Sequence, residues 1–77
     1  MQIIVNELDG KRIAYTDQTE FLVQVGKDKS GYKTRYRFLG NLGQAVRYYN
    51  SINIGNGYKK RLLMPEANKP LLARQFS

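Results

Sequence analysis

"FLVQVGKDKSGYKTRYRFLGNLGQAVRYY", residues 21–49, decides how this chain folds, because its apolar pattern changes period once and sharply. Phe21, Val23 and Val25 alternate with Gln24, as in a strand with one buried face. "GKDKSG" then forms a turn-rich connection closed by glycine at both ends. Residues 32–39 alternate again, so the two runs read as an antiparallel hairpin. Past Gly40 the spacing becomes helical, with Leu42, Ala45, Val46 and Tyr49 at i, i+3, i+4 and i+7. Asn41 is a fitting N-cap and Gln44 stands three residues on, as in a capping box. The spacing predicts a helix over about 42–52, closed by Gly55 or Gly57 in the left-handed conformation.

Working outward, "IIVNELDGKRIAYT" (residues 3–16) places two strand-forming runs around Asp9-Gly10, the dipeptide of a type I′ turn. A two-residue loop sets Leu8 opposite Lys11, Glu7 opposite Arg12, Asn6 opposite Ile13 and Ile4 opposite Tyr15. That register gathers Ile4, Leu8, Ile13 and Tyr15 on one face and joins opposite charges at Glu7 and Arg12. Toward the other end, "YKKRLLMP" (residues 58–65) reads as a further strand stopped by Pro65. In "EANKPLLARQFS" (residues 66–77), Pro70 can open a short helix capped by Asn68, or the segment lies extended. The expected fold is α+β: a small, mainly antiparallel sheet of four to five strands (two hairpins plus a later strand), with one amphipathic helix packed on one face. Residues 1–65 form the single domain of this reading and 66–77 its C-terminal tail.

A chain of 77 residues buries only about 60–65% of its unfolded surface, which allows one core and no second. It has neither cysteine nor histidine, so it lacks disulfides, Cys/His zinc sites, the commonest general base and the strongest thiol nucleophile. Five of its six carboxylates fall in the first 31 residues, at turns and strand ends. "GNGYKK" lacks the spacing of a phosphate-cradling loop. These absences point away from an enzyme and from any metal or cofactor. With no long apolar run and no basic-then-apolar leader, the expected setting is soluble and cytoplasmic, with no membrane partner.

Charge is the informative part. The formal net charge is +7, and it is concentrated in one half. Residues 1–31 hold four cations against five anions, whereas residues 32–77 hold nine cations against Glu66 alone. A one-sided field of this sort draws in polyanions. In "YKTRYRF", strict alternation would set Lys33, Arg35 and Arg37 in a row on one face, about 6.5–7 Å apart. Such a row can meet successive phosphates or a guanine edge. Tyr32, Tyr36 and Phe38 would then share the opposite face, which the apolar pattern assigns to the core. Lys59, Lys60 and Arg61 form a second cluster, with Lys60 on the face of Tyr58 and Leu62, and Arg47 on the helix adds a further cation.

Strands, a basic strand and then one amphipathic helix make an order similar in outline to the three-stranded DNA-reading domains of the integrase N-terminal type. The resemblance spans residues 12–52 and implies that Lys33, Arg35 and Arg37 would read DNA from an exposed sheet face. Two functions follow from the sequence. The first is a small non-enzymatic nucleic-acid-binding protein, for DNA in preference to RNA, contacting the backbone through Lys33, Arg35, Arg37, Arg47, Lys59, Lys60 and Arg61. The alternative is a phage- or mobile-element-type inhibitor or adaptor that seizes an acidic surface of a host protein. It would anchor there with apolar residues among Leu62, Leu63, Met64, Leu71, Leu72 and Phe76.

Overall fold

A computed structural model describes residues 2–67 and 69–76. The chain runs β1 (Ile4–Leu8), β2 (Lys11–Tyr15), β3 (Glu20–Lys27), β4 (Tyr32–Leu39), α1 (Leu42–Ser51), β5 (Tyr58–Leu63) and β6 (Leu72–Phe76). The result is an α+β domain with two antiparallel sheets, β1-β2 and β4-β3-β5-β6. Among the described residues there are six strands, one more than the upper expectation, because the chain after Pro70 pairs with β5 as an edge strand. No helix opens at Pro70; Asn68, its expected cap, lies outside the described residues.

The first hairpin forms in the register that Asp9-Gly10 dictates: Ile4 faces Tyr15, Asn6 faces Ile13 and Glu7 faces Arg12. Asp9 and Gly10 both have positive φ, 55° and 79°, as a type I′ turn requires. Ile13 and Tyr15 are buried, and the Tyr15 ring meets Phe21 edge-on at 5.2 Å, which fastens the hairpin to the four-stranded sheet. The Tyr15 hydroxyl donates to Asn6 Oδ1, so its polar end is satisfied within the hairpin.

α1 starts where the cap residue sits, with the Asn41 side chain accepting from the Gln44 amide at 3.0 Å. Its buried residues, Leu42, Ala45 and Tyr49, fall on one stripe. The helix ends at Ile52 in extended conformation, and neither Gly55 nor Gly57 closes it. Gly57, at φ 82°, instead shapes the turn that launches β5, where the Tyr58 amide bonds the Gly55 carbonyl at 3.2 Å.

One face of the four-stranded sheet meets both α1 and the hairpin. Phe21, Val23 and Leu62 are completely buried there, together with Ile13, Tyr15, Leu42, Ala45 and Tyr49. Each large side chain so enclosed contributes about 1.5–3 kcal/mol. Phe38, Val46, Tyr48, Ile52, Met64, Leu71 and Leu72 pack around this centre. The second face of the sheet carries neither α1 nor the hairpin.

Candidate functional site

β4 does not alternate throughout. Phe38 faces Phe21, Arg37 faces Leu22 and Tyr36 faces Val23, but the next pair is Thr34 with Gln24. Arg35 is therefore the extra residue of a β-bulge, and the side chains N-terminal to it change sides. Lys33 faces Val25 on the helix side of the sheet, and Tyr32 faces Gly26 on the open side. The row expected from the sequence is thus divided. Arg37 lies on the open face, while Lys33 and Arg35 line a hollow on the helix side with Val25 and Tyr58. The outline resemblance implied all three on the exposed face; only Arg37 is there. Tyr32, Tyr36 and Phe38 are divided too. Tyr36 and Phe38 form an aromatic trio with Tyr48 of α1, at centroid separations of 4.7–5.7 Å, in which Tyr36 stays 54% exposed.

The second cluster is divided by ordinary strand alternation. β5 lies inside the sheet, between β3 and β6, so it is not the lysine-guarded edge its composition resembles. Lys59 faces Gly26 and Arg61 faces Gln24, both on the open side. Because Gly26 has no side chain, the Tyr32 ring reaches across β3 to β5. The Arg61 guanidinium carbon lies 3.8 Å from the ring centroid and the Lys59 ammonium 4.7 Å from it. Arg61 Nε donates to Gln24 Oε1 at 2.7 Å, and Gln24 Nε2 donates to Thr34 Oγ1 at 3.0 Å. Lys59 Nζ donates to the Asp28 carbonyl at 3.2 Å, and Gln75 Nε2 donates to Asp28 Oδ1. Stacking and hydrogen bonding hold Arg61 in one orientation, so less conformational entropy is lost when it meets a ligand.

The open face therefore presents a diagonal of cations, Lys59 to Arg61 on β5 and then Arg37 on β4. The first two are about 7 Å apart along the strand, and Arg37 stands two strand spacings, about 10 Å, to the side. Leu22 and Leu63 face one another at the far end of this surface, beside the Glu20–Leu39 pair. Gln24, Thr34 and Gln75, all part of this surface, were not singled out as site residues from the sequence, and Tyr32, which the apolar pattern assigns to the core, lies here on the open side. Gly26 within a strand was the available signal, since a strand glycine marks a bulge or a close approach.

Lys60 has a different occupation. It is 5% exposed, and its ammonium donates to the carbonyls of Tyr49 at 2.7 Å and Ile52 at 2.9 Å. It also sits 4.4 Å from the Tyr49 ring centroid. α1 has no basic residue in its last turn, so Lys60 supplies from β5 the positive charge that its C-terminus favours. Burial, reinforced by repulsion from Arg74, lowers the Lys60 pKa from the ordinary lysine value of 10.5. Burial likewise raises Tyr49 above 10.0, against a lowering influence of Arg74. Arg47 is exposed on α1, in the layer behind the sheet and away from the open face.

No helix among the described residues is long and apolar enough to cross a membrane. Comparison with models of protein families, with curated proteins and with solved structures finds no match.

Proposed function

We propose that the protein is a small non-enzymatic nucleic-acid-binding domain, for DNA in preference to RNA, and that it meets the phosphate backbone through the open face of its four-stranded sheet. The observation that carries this reading is the Lys59–Arg61–Arg37 diagonal, set around Tyr32 on the face that α1 and the hairpin leave uncovered. Preoriented cations beside an aromatic ring suit a backbone with stacked bases. The concentration of positive charge in residues 32–77 supports the same partner. A host-protein inhibitor would need an apolar anchor near the C-terminus, and most of the candidates are spent on the core. Leu62 is fully buried, and Met64, Leu71 and Leu72 pack against the central cluster.

The test is fluorescence anisotropy with labelled duplex and single-stranded DNA and RNA, titrated between about 50 and 300 mM salt. Affinity should fall steeply with salt, with a log–log slope near −0.9 per phosphate neutralised on duplex DNA. Arg37→Glu should weaken binding about tenfold or more, whereas Arg47→Glu, in the layer behind, should change it little. Equal losses from the two variants would assign the affinity to diffuse charge and sink the site. An absence of binding at the lowest salt would sink the function.

A further inference from the structure

On the helix side, at the end of the sheet beyond the ammonium of Lys60, the β3–β4 turn closes over a hollow of about 400 Å³. That volume lies in the lower part of the range of small-molecule sites, about 300–1,000 Å³. Three cations line it: Lys27 from the end of β3, Lys33 from the start of β4 and Arg35 from the bulge. Without the bulge, Arg35 and Lys33 could not share a wall with Val25 in this register. Ser30 contributes a hydroxyl-bearing side chain from the turn, and Val25 supplies an apolar part of the lining. Tyr58, which faces Lys27 across the β3–β5 ladder, stands at the hollow with 41% of its surface exposed.

No carboxylate is among the lining residues. Asp28, the acid nearest in sequence, is engaged by Gln75 through its Oδ1. Three like charges around one small concavity concentrate anions in it. Lysine and arginine together suit a phosphate group, the first as a point charge and the second as a two-pronged donor. The exposed Tyr58 ring beside them offers a flat surface on which a base can stack. We propose that this hollow is a second binding site, distinct from the open sheet face, for a single nucleotide unit, with the phosphate held by Lys27, Lys33 and Arg35 and the base resting on Tyr58. The unit is either a free nucleoside 5′-monophosphate or the 5′-phosphorylated end of a strand, since both present the same groups.

The experiment is an amide-shift titration of isotopically labelled protein by NMR, using adenosine 5′-monophosphate, adenosine and inorganic phosphate as separate probes. The monophosphate should move the amides of Ser30, Gly31, Lys33 and Tyr58 saturably, with at least about tenfold higher affinity than either fragment. The double variant Lys33→Gln/Arg35→Gln, whose side chains are both exposed, should lose that affinity about tenfold or more while its remaining spectrum keeps the folded pattern. Arg37→Gln, on the other face, should leave the titration unchanged. Oligonucleotides with and without a 5′-phosphate separate the two sources: a preference for the phosphorylated end over the free monophosphate assigns the strand terminus, and equal affinity assigns the free nucleotide. Shifts that follow every surface cation without saturation would overturn the proposal, as would a titration that the double variant leaves intact. Because Arg37 variants report only the open face, loss of one site is read independently of the other.

Discussion

Replacing Lys60 by methionine keeps the length and apolar volume of the stem and removes only the ammonium. Each of its two charged hydrogen bonds, to the Tyr49 and Ile52 carbonyls, contributes about 1.5–3 kcal/mol. The Tyr49 ring adds about 0.5–2 kcal/mol. Against these stands the dehydration of a buried cation, several kcal/mol, of which the lowered pKa is the visible trace. The Tyr49 carbonyl would still accept from the Ile52 amide at 3.3 Å, so the variant strands chiefly the Ile52 carbonyl, at about 1–3 kcal/mol. The net expectation for Lys60→Met is a loss of about 2 kcal/mol, hence a Tm lower by about 8–16 °C for a domain of this size. Urea and thermal unfolding followed by circular dichroism measure both. The pH dependence has a definite sign. The folded pKa lies below the unfolded one, so between the two the unfolded chain binds more protons and stability from this group rises with pH. The gap between wild type and variant should therefore widen as pH climbs toward 10.5. A variant as stable as the wild type at neutral pH would refute the reasoning, because an apolar chain would then serve the helix end equally well.

Asn41→Ala should cost about 1 kcal/mol through loss of the cap to the Gln44 amide, a Tm decrease of about 4–8 °C by calorimetry. Gly26→Ala should cost about 1–3 kcal/mol in urea unfolding, since a Cβ there would lie 2.5 Å from the Gly31 carbonyl oxygen. Unchanged stability would mean that the β3–β4 turn gives way freely. Tyr49, whose pKa burial raises above 10.0, should make stability fall as pH rises past 10.0, because the unfolded phenol ionises first. Tyr49→Phe should blunt that fall, as read from unfolding curves at successive alkaline pH values.

The first hairpin and the helix could be read from the sequence because local rules govern them. Asp9-Gly10 admits one turn type, and that turn fixes every pairing from Ile4 to Tyr15. Leu42, Ala45 and Tyr49 define one stripe whatever lies beneath them. The helix end could not be read in this way, since the groups that finish it are β5 side-chain atoms and no nearby glycine. Residue pattern showed that Lys60 shares a face with Leu62, yet only the assembled layers show that this face is closed. β4 misled for another reason. Its alternation is perfect in the sequence, and a perfect alternation contains no sign of where a ladder slips. The slip depends on what lies across from it: Tyr32 finds room over Gly26, and Tyr36 finds Phe38 and Tyr48. The candidate site was legible in its charge and illegible in its partition between faces. The tail posed a similar difficulty, because Pro70 is compatible with a helix start and with an edge strand, and only an unpaired side of β5 decides between them.

The bulge at Arg35 also has a consequence for how such a domain can change over generations. Most surfaces alter their chemistry through substitution, one side chain at a time. Here β4 carries one residue more than β3 opposes, and that extra residue is a charge. Dropping Arg35 would make the ladder regular with Tyr36 still opposite Val23 and Thr34 still opposite Gln24, so Tyr32, Lys33 and Thr34 would all keep their sides. A single deletion would thus take one cation from the hollow in one step, leaving the open face and the core residues Phe21 and Val23 where they stand.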